Sequence, residues 1–122
     1  MLKFSPLAHT WIFDVDGTIV KHNGYKIDGK DTLLDGVKDF FASLPKEDKV
    51  VFLTSRTKEQ IEDLKIFLKE NNIRYDVIVP DMPMGERILV NDDKPSGLSC
   101  CYAVRKKRDL PLDIDYVIDK NI

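Results

Sequence analysis

Apolar residues in this chain fall into short runs separated by stretches of helical periodicity. Thr10-Trp11-Ile12-Phe13-Asp14 is rich in aromatic and β-branched residues and stops before the turn signal Asp16-Gly17. It predicts a buried strand ending near Asp14. Val20 to Ile27 brackets Asn23-Gly24, the strongest two-residue hairpin signal, and predicts a small β-hairpin flap. Asp31 then opens a helix in which Leu34, Val37, Phe41 and Leu44 recur at three- and four-residue steps, closed by Pro45. Val50 to Thr54 predicts a second buried strand. Thr57 and Gln60 fit a capping box, and Ile61, Leu64, Phe67 and Leu68 form the amphipathic face of the helix that follows. Tyr75 to Val79, halted by Pro80, predicts a third strand. Arg87 to Val90, ending at Asn91-Asp92-Asp93, predicts a fourth, and Ser99 to Val104 a fifth. The tail after Arg108 predicts no defined element.

Short apolar runs separated by helices imply a parallel sheet covered on both faces. The expected fold is therefore α/β: a small doubly wound, Rossmann-like sheet with a hairpin flap after the first strand. The 122 residues suit one domain spanning 1–122, with no repeat or linker. In such sheets ligands bind beyond the carboxyl ends of the strands. Asp14 and Asp16, Thr54 with Ser55 and Arg56, and Asn91 to Lys94 stand at those ends.

Charge narrows the function. Lys and Arg number 19 against 21 acids, a net charge of −2. This balance argues against a nucleic-acid footprint, which needs clustered positive charge. No apolar run approaches the ~18 residues of a membrane span. The two cysteines, Cys100 and Cys101, are adjacent and cannot staple distant segments, so a reducing, cytoplasmic compartment is expected and both are expected to pack within the fifth strand. Of the acids, 16 are Asp and 5 are Glu, and Asp favours caps, turns and hard-metal sites over helix interiors. His9 and His22 read as solvent-exposed, and Arg105 to Arg108 as a solvated basic loop, with a grip on an acidic substrate as the alternative.

Carboxylates gathered at one sheet edge repel one another unless a divalent cation sits among them. Mg²⁺ takes one or two carboxylates together with waters and phosphate oxygens. A threonine hydroxyl can bond a phosphate oxygen, and Lys or Arg can neutralise it. The strand-end residues therefore read as a Mg²⁺-assisted phosphoryl-transfer site. Asp14-Val15-Asp16-Gly17-Thr18 is its most specific piece. A calcium loop starting at Asp14 would need Glu at its twelfth position, which is Tyr25.

Trp11 to Thr18 resembles the first motif of the haloacid dehalogenase-like (HAD) superfamily, Val51 to Thr54 its second, and Ile88 to Asp93 its fourth. Gly85 to Gly97 resembles, more loosely, small HAD-like proteins linked to bacterial surface-polysaccharide synthesis. The resemblance implies that Asp14 is the nucleophile and Asp16 the general acid and base. Asp14, Asp16, Asp92 and Asp93 would hold Mg²⁺, and Thr54 the phosphoryl group. Thr18, Ser55 and Arg56 are the expected substrate-binding residues. The family's third-motif Lys has no counterpart between Val79 and Arg87, so Arg87 or Lys94 is expected to supply that charge.

About 30 residues separate Thr18 from Val50, too few for the family's cap domain. The expectation is a capless, cytoplasmic phosphatase acting on a phosphorylated sugar or related metabolite through an aspartyl-phosphate. Two readings compete with it: a receiver-like signalling domain, and a catalytically weak HAD-like binding or assembly protein. The flap can cover the site of a neighbouring subunit in a homo-oligomer, or fold back on its own domain.

Overall fold

The computed structural model describes residues 1–122. In chain order the elements are β1 (Leu2–Phe4), β2 (Thr10–Asp14), α1 (Gly24–Ile27), α2 (Val37–Ser43), β3 (Lys49–Leu53), α3 (Ile61–Glu70), β4 (Val77–Val79) and β5 (Tyr116–Ile118). The protein is α/β with two small parallel sheets, β2-β3-β4 and β1-β5. The register aligns Phe13 with Phe52 and Asp14 with Leu53. It therefore brings the carboxyl ends of β2 and β3 level.

One face of the larger sheet carries the core. Phe13, Val50 and Phe52 are buried there with Val37 and Phe41 of α2 and Leu64 and Leu68 of α3. Rings of Phe13, Phe41 and Phe52 lie 5.0 to 6.0 Å apart, and each such side chain contributes about 1.5–3 kcal/mol by leaving water. On the other face Ile12 and Val77 remain half exposed. Asp48 ties the starts of β2 and β3 together. Its buried carboxylate accepts the Trp11 Nε1–H and the His9 N–H, each at 3.0 Å.

The capping box forms as expected. The Thr57 N–H donates to Gln60 Oε1 at 2.8 Å and the Gln60 N–H to Thr57 Oγ1 at 3.2 Å, and α3 follows. The first long helix begins later than expected, at Val37 rather than Asp31. Gly36 there has φ 83, and a Cβ on it would collide with the Leu112 carbonyl. The chain thus turns sharply beneath the tail before the helix can start.

The expected hairpin at Val20 to Ile27 is not formed. Val20 pairs instead with Leu33, and the Lys21 N–H donates to the Thr32 carbonyl at 3.0 Å. Asn23 does take the left-handed conformation, at φ 55, but it leads into the single helical turn α1. Pairing with Leu33 buries Val20 completely, which pairing within an exposed two-residue hairpin would not.

Neither the fourth nor the fifth expected strand exists. The chain leaves β4 through Pro80, Asp81 at φ 61 and Pro83, and Arg87 to Val90 pairs with no sheet edge. Ile88 and Val90 are 85% and 88% exposed. Strand propensity is realised only against a neighbouring strand. Ser99 to Val104 is held by side chains rather than a ladder. The Cys100 N–H donates to Asp93 Oδ1, and the Tyr102 ring packs on Phe4 at 5.3 Å. Cys100 is therefore only half buried and Cys101 is exposed. His9 and His22 are half buried rather than exposed. The tail, which the pattern left unassigned, forms β5 against β1. No helix is long and apolar enough to cross a membrane.

Candidate functional site

The Asp14-to-Thr18 run makes a tight turn at the end of β2. The N–H groups of Thr18, Ile19 and Val20 all approach the Val15 carbonyl, at 2.9 to 3.2 Å, and Gly17 sits at φ 85. Ile19 and Val20 are fully buried and anchor this turn in the core. Two polar centres grow from it.

Asp14 is the first. Its carboxylate is 40% exposed. Thr18 Oγ1 donates to Oδ2 at 3.1 Å, and an Arg87 guanidinium nitrogen donates to Oδ1 at 3.3 Å. Arg87 is thus the cation, of the two expected, that touches Asp14. Lys94 is exposed but lines the same cleft of about 700 Å³ that opens beside β2 at Asp14.

Arg56 is the second. Nε and a terminal nitrogen donate to the two Asp16 oxygens at 3.1 and 2.8 Å, and both terminal nitrogens donate to Asp31 at 3.0 and 2.7 Å. The Tyr25 ring lies 3.9 Å from the guanidinium carbon. Burial by itself pulls the Arg56 pKa down, but the hydrogen bonds and charges of Asp31 and Asp16 outweigh it and hold the pKa above the ordinary arginine value. Four of its five N–H donors are committed, so Arg56 is a buried clamp rather than the free substrate contact expected. Tyr25 thus packs on Arg56 of its own domain, while residues 26–30 stay exposed.

Thr54 is 1% exposed, and its hydroxyl accepts the Arg56 N–H at 3.1 Å. This bond shapes the loop that carries the clamp and leaves the hydroxyl beneath the surface. Ser55 is half buried beside it. Asp92 and Asp93 are exposed, and Asp93 is spent on the Cys100 N–H. No three acidic, His or Cys side chains converge where they could hold a metal ion. The four carboxylates expected to share Mg²⁺ are thus dispersed: Asp14 on Arg87, Asp16 on Arg56, and the other two on the exposed segment.

Sequence reasoning missed three members of this neighbourhood. Asp31 reads as a helix opener, Tyr25 as a flap residue, and Lys106 as part of a solvated run. Lys106 is half buried, and its Nζ donates to the Gly17 carbonyl at 3.0 Å. Only the basic character of the 105–108 run hinted at it. Comparison of the chain with protein-family models, with curated proteins and with solved structures finds no match.

Proposed function

We propose that the protein is a phosphatase that hydrolyses a phosphate monoester of a sugar or related metabolite at Asp14. One observation carries the reading: a half-exposed carboxylate at the carboxyl end of a parallel strand, held by a hydroxyl and a guanidinium at the mouth of a cleft. The likeness of Trp11 to Thr18 to the first HAD motif supports the same assignment. So does the level β2 and β3 register, which is compatible with a small capless Rossmann-like arrangement.

In this reading the Thr18 hydroxyl fixes one Asp14 oxygen and leaves the carboxylate aimed at the cleft. An Asp14 oxygen attacks phosphorus, the P–O ester bond breaks and the departing oxygen takes a proton from solvent water, and a second water then cleaves the acyl phosphate to release inorganic phosphate and restore the Asp14 carboxylate. Arg87 neutralises charge on the phosphoryl oxygens as the attack proceeds. Both Asp16 oxygens accept hydrogen bonds from Arg56, so proton transfer by Asp16 requires that pairing to open. Asp14, Asp16, Asp92 and Asp93 do not converge on a Mg²⁺ site in this arrangement. The free thiols of Cys100 and Cys101 support a cytoplasmic setting.

The test is phosphate release from a panel of sugar phosphates and phosphorylated metabolites, with and without Mg²⁺. Asp14→Asn keeps the side chain's size, removes the nucleophile, and is expected to abolish turnover with the melting temperature retained. Parental rates in that variant would show the nucleophile to be wrong. The committed state of Asp16 also favours a second reading, a binding protein without turnover. Saturable binding of a sugar phosphate with no phosphate released would establish that one instead.

A further inference from the structure

Arg105, Lys107 and Arg108 of the basic run are exposed, as expected, but Lys106 is half buried. Three contacts dock residues 106–109 on Gly17 of the Asp14-to-Thr18 turn, and a fourth ties them to His22. The Asp109 N–H donates to the Gly17 carbonyl at 2.9 Å. The His22 N–H donates to Asp109 Oδ1 at 2.7 Å. Lys106 Nζ donates to the same Gly17 carbonyl. The Arg108 side chain lies over Gly17, with Cγ only 3.0 Å from where a Cβ would stand. Residues some ninety positions apart in sequence are thereby held as one unit.

Within that unit Lys106 is incompletely paired. Its half-buried ammonium touches two neutral carbonyls, Gly17 at 3.0 Å and Lys107 at 3.1 Å, and it makes no ion pair. The nearest carboxylates that act on it, Asp109 and Asp14, do so through space. Partial burial of such a charge is unfavourable until a counter-charge arrives, and one of its three N–H donors is still free. The cleft it lines is electropositive in a chain of net charge −2. Its charged lining is Lys3, Lys94, Arg105 and Lys106 against Asp14 and Asp113. We propose that Lys106 is a phosphate-oxygen contact, holding the anion in the cleft beside Asp14. The choice of phosphate as the anion rests on the phosphatase reading; the unpaired ammonium in an electropositive cleft does not. The lowered pKa of Lys106, caused first by burial and opposed by Asp109 and Asp14, agrees with a cation still short of a partner.

Titration calorimetry of the full chain with inorganic phosphate, with and without magnesium chloride, tests this. The parent protein is expected to bind phosphate. Lys106→Ala and Lys106→Gln should each weaken it at least about tenfold, the scale of one charge-assisted hydrogen bond. Glutamine can still donate to Gly17, so its failure to rescue separates charge from loop structure and covers an alanine variant that misfolds. Lys106→Arg should retain most of the affinity, and Lys107→Ala, on an exposed neighbour, all of it. Parental affinity in Lys106→Gln, or no phosphate binding by the parent, would overturn the proposal. Lys106-dependent binding without ester hydrolysis would leave the anion site standing and remove the phosphatase reading. Hydrolysis with Lys106-independent binding would do the reverse.

Discussion

Replacing Arg56 by methionine is expected to be the most damaging single change in the polar interior. The Arg56 side chain is 2% exposed, and its partners Asp31 and Asp16 are 4% and 19% exposed. Methionine fills much of the same volume but removes all four hydrogen bonds and the only positive charge between two carboxylates. Stranding a buried charge in this way costs about 3–5 kcal/mol, a large part of the ~5–15 kcal/mol that holds a domain folded. With a urea slope of about 1–3 kcal/mol/M the unfolding midpoint should fall by about 1–5 M. Trp11, the single tryptophan, reports the transition, because its indole is fixed on Asp48 and stacks on Phe13. Asp31→Asn leaves Arg56 its paired contact with Asp16 and should cost less, about 1.5–3 kcal/mol. The double variant should lose less than the sum of the two, since each removes part of the same interaction. A midpoint that moves by less than about 0.3 M in Arg56→Met would refute the clamp as a determinant of stability.

Other outcomes follow from single contacts. If the phosphatase reading holds, Arg87→Ala should lower turnover by about 10²–10³ and Lys94→Ala much less, because only Arg87 reaches Asp14; equal losses in steady-state kinetics would contradict this. Asp76 is held below the ordinary carboxylate value of 3.8, first by the Val50 N–H and then by Lys49 and Arg74, against a burial effect that raises it. Its contribution to stability is therefore complete above that value and lost as pH falls through the lower folded pKa, so Asp76→Asn should flatten the acid limb of a stability–pH curve. Gly36→Ala must hold a side chain at φ 83 and push back the Leu112 backbone, and should lower stability by about 1–2 kcal/mol or more in thermal melts.

The local elements with strong internal signals were legible in the sequence. The strand ending at Asp14, the strand at Val50, the Thr57–Gln60 capping box with α3, and the strand halted by Pro80 all follow from apolar runs and caps that need only a core to lie against. Placement of Asp14 at the carboxyl end of a parallel strand was legible for the same reason. What the chain does between those elements was decided by partners remote in sequence. Asn23-Gly24 favours a hairpin locally, yet pairing of Val20 with Leu33 gives greater burial. Arg87 to Val90 has the composition of a strand, but Pro80, Asp81 and Pro83 carry it away from any edge. Asp31 has the chemistry of a helix cap until Arg56, 25 residues on, offers it a buried salt bridge. Lys106 looks like one charge in a basic run until Asp109 and Gly17 fix it beside the Asp14 turn. Periodicity and capping act over one or two turns of chain and are written in neighbouring residues. Which carboxylate meets which cation depends on how the elements pack, and only the tertiary structure decides that.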